Sequence, residues 1–235
     1  RGVPTPGTDL FDRTLPAELR ALMAVAAPVA LPIANMNALR DTIASSQAHH
    51  LSSLQIFAFD SILHPQTRTY LIGVLSAKMG DSRGVDASLA VLGGLSRRSQ
   101  DAGAAADLSH LVRAEDARWN HRLGDALREV EQFRLDPSNS LSWGFRPAIA
   151  HARFLRAEIL YDLRRDEEAL RWYSSQSEAF DAMYLPLVHF RKGQIFLRRG
   201  DKGAAAVEFR RFLDSWKDCD PELKPLTDIA SAALR

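Results

Sequence analysis

A pattern of small and large residues recurs 36 positions apart in the last third of this chain. The two copies are residues 150–177 and residues 186–213. Four paired positions return in register, in the order small, large, small and aromatic: Ala157 and Gly193, Leu160 and Phe196, Ala169 and Ala205, Tyr173 and Phe209. A repeat of this length predicts a row of similar structural units that pack against their neighbours.

The packing of two helices joined by a tight turn explains this pattern. Antiparallel helices approach most closely where side chains are small, so the small residues are expected at the helix–helix contact and the large ones beside it. Gly200 suits the left-handed turn that ends a helix, and Asp201 can cap the next helix. Long alternating runs of β-branched residues are missing from the sequence, which therefore predicts an all-α chain.

In order and spacing these residues resemble the tetratricopeptide repeat (TPR), a helix-turn-helix unit of about 34 residues. The resemblance implies a right-handed α-solenoid of TPR-like hairpins with an N-terminal helical cap. Two positions depart from the family pattern: Asp181 stands where a proline is usual, and Arg153 stands where a tryptophan is usual. The array also resembles the C-terminal helical-repeat regions of bacterial signalling and regulatory proteins.

Weaker copies of the unit precede the two clear ones. Gly73 and Gly80 are separated by seven residues, as are the equivalent glycines of the last copy. The Leu-Gly-Asp segment at 123–125 is predicted to form the turn of another unit. Turns are therefore expected near residues 80, 124, 164 and 200.

These patterns divide the chain into three parts. Pro4, Pro6 and Gly7 break regular structure near the start, and Pro16 suits a first helical turn. Within the N-terminal part, helices are predicted at 35–47 and 51–63. The predicted divisions are a linker or lead at 1–15, an N-terminal helical region at 16–66, and a TPR-like array at 67–235 that ends in a capping helix at 220–235.

Charge and cysteine content limit the classes of partner and location. Thirty basic residues nearly balance 29 acidic ones, so the formal net charge of +1 gives no general attraction to nucleic acid or anionic lipid. No apolar run reaches the roughly 18 residues that a membrane span requires. A single cysteine, Cys219, cannot form a disulfide within the chain, which fits a reducing cytoplasm.

The first residue is Arg1 rather than methionine, so we expect a processed protein or a piece of a longer one. The expected location is the cytoplasm. The alternative is the extracytoplasmic part of a membrane-anchored signalling protein.

No pattern in the sequence points to catalysis, a metal or a cofactor. The seven histidines contain no His-x-x-x-His pair of the kind that holds zinc on one helix face. Residues 80–84 match a Gly-x-Ser-x-Gly nucleophile elbow, but a helical pattern precedes them where the elbow requires a strand. Glycine motifs that bind phosphate are absent from the sequence. We therefore predict a protein that is not an enzyme.

The family resemblance also implies a binding surface. In that family the first helices of successive units line a concave groove, on either side of the small residue. Carried over residue by residue, the partner-binding positions are His151, Phe154, Glu158, Tyr161, Phe190 and Gln194, together with Leu187 and Leu197. The alternative for Phe154 and Phe190 is packing against an adjacent helix. A groove that holds a peptide carboxylate is not expected, because Glu158 and Asp162 would repel it.

The functional expectation is a non-catalytic protein–protein interaction scaffold or sensory module that binds a partner segment in the concave groove. One alternative is a self-association module that forms a homo-oligomer. The other is a small-ligand-sensing helical domain of a larger signalling protein, with a pocket lined by apolar residues from 51–63.

Overall fold

The computed structural model describes residues 8–45, 60–96, 102–134, 146–176 and 181–235. Within these ranges the chain forms eleven α-helices and one short 3-10 helix, without a β-strand, so the predicted all-α class is confirmed. In chain order the helices are α1 (Thr8–Ala26), α2 (Ile33–Ser45), α3 (Asp60–Met79), α4 (Ser82–Ser96), α5 (Ala102–Trp119), α6 (Leu123–Val130), α7 (Arg146–Asp162), α8 (Asp166–Ser174), α9 (Leu185–Arg198), α10 (Lys202–Trp216), the 3-10 helix (Pro221–Leu223) and α11 (Lys224–Ala232).

Among the described helices, none combines the length and the apolar character needed to cross a lipid bilayer.

Four helical hairpins, α3–α4, α5–α6, α7–α8 and α9–α10, share one turn geometry. Each turn contains one residue with positive φ: Gly80 (71°), His121 (58°), Arg164 (62°) and Gly200 (79°). The backbone amide of the next residue donates to the carbonyl five residues before it, over 2.7 to 3.0 Å. This hydrogen bond belongs to the Schellman motif, which satisfies the last carbonyls of a helix. The hairpins are therefore repeats in backbone geometry as well as in sequence.

Three of the predicted turns lie where the sequence placed them, and one does not. The turn expected at 123–125 is formed by residues 120–122, and α6 already begins at Leu123. The physical reason is that His121, not Gly124, takes the left-handed conformation that ends α5. Of residues 80–84, predicted to form an interhelix turn, 80 and 81 do so, and α4 already begins at Ser82. Asp201 caps α10 by accepting a hydrogen bond from the Ala204 amide.

The repeated small residues lie inside the hairpins. Ala157, Ala169 and Ala205 are buried. A β-carbon at Gly193 would lie 2.7 Å from Cε1 of Phe209, closer than van der Waals contact allows, so α9 and α10 pack together only because this position lacks a side chain.

The N-terminal region departs from its predicted boundaries. Helix α1 begins at Thr8, so the linker expected at 1–15 and the helix start expected at Pro16 are wrong for the described residues. One face of α1, including Ala21, Leu22 and Val25, is fully buried. Because α1 packs against α2, α3 and α7, tertiary burial stabilises a helix that continues through the proline.

Two further helix predictions concern the same region. The helix predicted at 35–47 corresponds to α2, two residues earlier at each end. Of the helix predicted at 51–63, residues 51–59 lie outside the described residues, and 60–63 form the start of α3. At the other end of the chain, the predicted capping segment contains α11, which packs against α10 and α9 through Leu226 and Ala230.

Candidate functional site

Four of the six predicted groove residues are buried. His151, Phe154, Glu158 and Phe190 are only 1 to 2% exposed. The ring of Phe154 stacks on Tyr184 with centroids 4.7 Å apart. The expectation that these four side chains line an open groove is therefore corrected. For both phenylalanines the structure shows the alternative, which is packing inside the helix array.

Phe190 is held in the same way in the last hairpin. Its ring lies 5.0 Å from Phe212 and 6.1 Å from Phe209, centroid to centroid. Leu187, predicted to face the groove one turn earlier, is also buried, whereas Leu197 is 42% exposed. Core positions and groove positions share one helical periodicity, which explains why the sequence pattern could not separate them.

His151 belongs to a buried polar chain that joins three helices. Its Nδ1 shares a hydrogen bond with the hydroxyl of Tyr70 on α3, and its Nε2 lies 2.8 Å from Oε1 of Glu115 on α5. Burial, with the nearby Tyr184 and Glu115, raises the pKa of Tyr70 well above its ordinary value. These groups have no exposed surface to offer a substrate, so their role is to fix α3, α5 and α7 relative to one another.

Glu158 is the centre of a buried charge cluster. Its Oε2 accepts hydrogen bonds from Arg118 on α5 at 2.7 Å and from Arg191 on α9 at 2.9 Å, while Oε1 accepts from Arg191 and from the hydroxyl of Tyr173. Burial opposes ionisation of this carboxyl, but Arg191 and Arg118 outweigh it and lower the pKa of Glu158 to about 2. The second acid, Asp162, accepts from Arg118 Nε at 2.8 Å.

This cluster corrects the electrostatic argument made from the sequence. Glu158 and Asp162 were expected to repel a carboxylate. Both acids are paired with guanidinium groups that come from other hairpins, so neither presents an uncompensated negative charge.

Tyr161 and Gln194 are the two predicted residues that remain partly exposed. The Tyr161 hydroxyl donates to Oε1 of Gln194 at 3.0 Å. The guanidinium groups of Arg191 and Arg198 lie 4.4 and 4.5 Å from the centre of the Tyr161 ring. Such cation–π contacts hold the ring at the edge of the charge cluster.

A cleft of about 370 Å³ opens on the solvent side of this cluster. The C-terminal ends of α5 and α7 form it, together with the turns that follow them, Arg191 of α9 and Pro28 in the connection between α1 and α2. Its charged and aromatic lining comes from Arg118, Trp119, His121, Tyr161, Arg164 and Arg191, with Asp162 beside them.

Lys78 contacts Trp119, one of the residues that line the cleft. Its Nζ donates to the carbonyl of Ala27, just after α1, and lies 3.7 Å from the centre of the Trp119 ring. Burial lowers the pKa of Lys78 to about 7, although Glu115 opposes this shift. The side chain thus links α3, the end of α1 and one wall of the cleft.

A second, larger depression of about 730 Å³, here called the apolar groove, lies between the N-terminal helices and the last hairpin. Its walls come from α1 and α2 on one side and from α9 and the segment 216–223 on the other. The lining is mostly apolar and includes Met23, Met36, Leu39, Met183, Leu187 and Trp216. Met23 is 40% exposed.

The described residues hold no cluster of three or more His, Cys, Asp or Glu side chains arranged to bind a metal ion. Comparison of the chain with protein-family models, curated proteins and solved structures found no match.

Sequence reasoning missed the cations of the cleft. Arg118 and Arg191 lie 40 and 33 positions from Glu158, and no local pattern joins them. For His121 and Arg164 the sequence did contain a signal. When the four turns are aligned, these two residues occupy the positions held by Gly80 and Gly200 in the other turns.

Proposed function

We propose that this chain is a non-catalytic interaction module, built as a right-handed solenoid of four TPR-like hairpins, that binds an apolar segment of a partner protein. Support for the solenoid comes from the four hairpins with one turn geometry and from the small residues that repeat inside them. Repeat arrays of this kind commonly present extended binding surfaces.

The observation that carries the proposal is the apolar groove. Helix α1 packs against α3 and α7, which are first helices of hairpins and would face the concave side of such a solenoid. The partner site is therefore shifted from the predicted first-helix face to the groove between α1–α2 and α9. Its three methionines, Met23, Met36 and Met183, are unbranched and adaptable, and methionine is over-represented on surfaces that receive the apolar face of a partner helix.

The charges around the groove suit an amphipathic helix as the bound segment. Arg20 lies on one side, and Asp220 and Glu222 lie on the other. An amphipathic helix can bury its apolar stripe against the methionines while its polar face meets these charges and solvent. The proposed partner is therefore a protein with an exposed amphipathic helix.

Site-specific photo-crosslinking tests the proposal. A photoreactive phenylalanine analogue at Met23 should capture a defined partner in source cells, and the same analogue at Val91, an apolar residue of α4 that is somewhat more exposed than Met23, should not. A peptide from the captured segment should then bind the purified chain, and Met23→Glu should weaken that binding at least about tenfold, because a buried unpaired carboxylate is costly.

Equal capture at Met23 and Val91, or a peptide affinity unchanged by Met23→Glu, would contradict the proposal. Capture of a second copy of the chain from Met23 would favour the self-association alternative instead.

A further inference from the structure

Two of the four interhelix turns carry a side chain at the left-handed position, where the other two carry glycine. Gly80 and Gly200 adopt positive φ without steric cost, whereas His121 and Arg164 adopt it with a β-carbon present. The turn geometry is the same in all four hairpins, so glycine would serve it equally well at 121 and 164. The turn itself therefore does not require these two side chains.

Both of these side chains line the same cleft, on consecutive hairpins. Arg164 is exposed, and its side chain makes no hydrogen bond or ion pair with any residue in the described part of the chain. His121 likewise has no side-chain partner among the described residues. Backbone strain and unused hydrogen-bonding groups thus coincide at one concave surface.

The charges in the cleft leave room for one further anion. Arg118, Arg164 and Arg191 bring three positive charges, and the acids within contact of them are Glu158 and Asp162. The guanidinium groups of Arg118 and Arg191 are held rigidly by Glu158, so their orientation is fixed before any ligand arrives. The remaining positive charge belongs to the exposed and unpartnered Arg164.

Trp119 supplies an aromatic wall of the cleft. Its Nε1 is shielded from solvent, so it is the ring and not the indole N–H that a ligand in the cleft would meet. A flat ring of this kind can pack against the apolar part of an organic anion.

We propose that this cleft is a binding site for a small organic anion that carries one carboxylate or phosphate group. Arg164 and His121 contact the anion from the two turns, and Arg118 and Arg191 form its rigid positive wall. The volume of about 370 Å³ fits a small molecule or a single side chain rather than a folded partner. This site shares no lining residue with the apolar groove, so it stands or falls independently of the proposed function.

Titration of the full chain with simple anions tests the proposal. The probes are sodium benzoate, its neutral counterpart benzamide, and inorganic phosphate, each at constant ionic strength. The readout is the indole N–H signal of Trp119 in nitrogen–proton correlation spectra, assigned with Trp119→Phe. We expect a Kd on the order of 1 mM for a bound anion, as for a fragment-sized ligand, and binding of benzamide at least about tenfold weaker than that of benzoate.

Arg164→Gly is the decisive variant. It removes the cation while supplying the residue that the equivalent turns already use, so helical circular dichroism should stay unchanged and anion affinity should fall at least about tenfold. Arg210→Gln removes an exposed charge from α10, away from the cleft, and should leave affinity unchanged. Should Arg164→Gly lose helicity, Arg164→Asn tests the same point, because asparagine tolerates positive φ.

The two anions separate the sources of the ligand chemistry. A response to benzoate alone assigns the cleft to carboxylates, a response to phosphate alone assigns it to phosphates, and either result supports the site. The proposal is overturned if neither anion moves the Trp119 signal at concentrations about twentyfold above the expected Kd. It is also overturned if Arg164→Gly and Arg210→Gln bind equally well.

Discussion

At the scale of single residues, Glu158 of α7 joins its helix to three others. It is 1% exposed, and its partners come from three different helices, α5, α8 and α9. A buried carboxylate is costly to desolvate, and only close partners on all sides offset that cost. Glu158 therefore fixes the relative positions of three consecutive hairpins.

Replacing Glu158 by glutamine should lower the free energy of unfolding by about 3 to 5 kcal/mol, because Arg191 loses its counter-charge and Arg118 keeps only Asp162. Urea unfolding at pH 7 measures this loss. Glu167→Gln is the matched control: Glu167 pairs with Arg199 at 2.8 Å on the surface, and its loss should cost no more than about 1 kcal/mol. Equal small effects of the two substitutions would contradict the role given to Glu158.

The same carboxyl group makes a prediction for acid unfolding. Its pKa is about 2 in the folded chain against an ordinary 4.5, so the stabilisation is fully present above pH 4.5 and is lost as pH falls toward 2. The shift corresponds to about 3 kcal/mol. Stability measured from pH 5 down to pH 2 should fall more steeply for the wild-type chain than for Glu158→Gln, and parallel curves would contradict this.

At the scale of secondary-structure elements, each hairpin depends on close approach at a few positions. Helices α9 and α10 meet where Gly193 faces the ring of Phe209, and α3 meets α5 where a β-carbon at Gly73 would lie 2.8 Å from Val112. Densely packed interiors cannot absorb an added atom without moving neighbouring side chains or backbone. Small residues at these contacts therefore set the spacing between helices.

Gly193→Ala should destabilise the chain by about 1 to 3 kcal/mol, because the new methyl group would overlap the Phe209 ring. Gly94→Ala provides the control, since Gly94 lies within α4 and a β-carbon there meets nothing within 4 Å. That substitution should raise stability by about 0.5 to 1 kcal/mol through helix propensity. Chemical denaturation measures both, and the two changes are expected to have opposite signs.

Lys78 should make the stability of the fold depend on pH. Burial lowers its pKa to about 7, below the ordinary 10.5, so above pH 7 the unfolded chain binds more protons than the folded one. Stability should therefore rise between pH 7 and pH 9, by about 2 kcal/mol. This window ends below pH 10, where the raised pKa values of the buried tyrosines Tyr70, Tyr173 and Tyr184 would reverse the trend.

Urea unfolding at pH 7, 8 and 9 tests this prediction, with Lys78→Met as the comparison. The variant keeps an unbranched apolar chain in the same space and removes the titrating group. Its stability should be nearly constant over the window. A rise of the same size in Lys78→Met would assign the effect to other groups.

At the scale of the whole molecule, local patterns determined what could be predicted. The small and large residues of α7 to α10 lie within a few turns of each other, so spacing alone located these helices and three of the four hairpin turns. The cleft depends on Arg118 and Arg191, which lie 40 and 33 positions from Glu158 and meet it only after the hairpins have stacked. Such long-range pairs leave no periodic pattern in the sequence. Sequence analysis therefore assigned Glu158 to a groove rather than to a buried charge cluster.

No local sequence pattern predicts the helices against which α1 packs. Its position also affects how the whole chain is expected to unfold. In a linear repeat array each unit contacts only its neighbours, so stability is a sum of local terms. Here α1 contacts both α3 and α7, which belong to the first and third hairpins, and one core cluster includes residues from Ala17 to Ala230. These bridging contacts couple the N-terminal helices to distant hairpins.

Coupling of this kind predicts one cooperative transition. Leu22 of α1 is fully buried, and Leu22→Ala should cost about 2 to 5 kcal/mol. Because α1 contacts the third hairpin as well as the first, the substitution should shift the whole urea curve, and tryptophan fluorescence should move together with far-ultraviolet circular dichroism. If the hairpins unfolded independently, the urea curve of Leu22→Ala would instead show two transitions. The N-terminal helices would unfold at lower urea, and the later transition would not shift. Coincident shifts would mean that a change in the first helix destabilises the last hairpin, and the chain would then unfold as one unit.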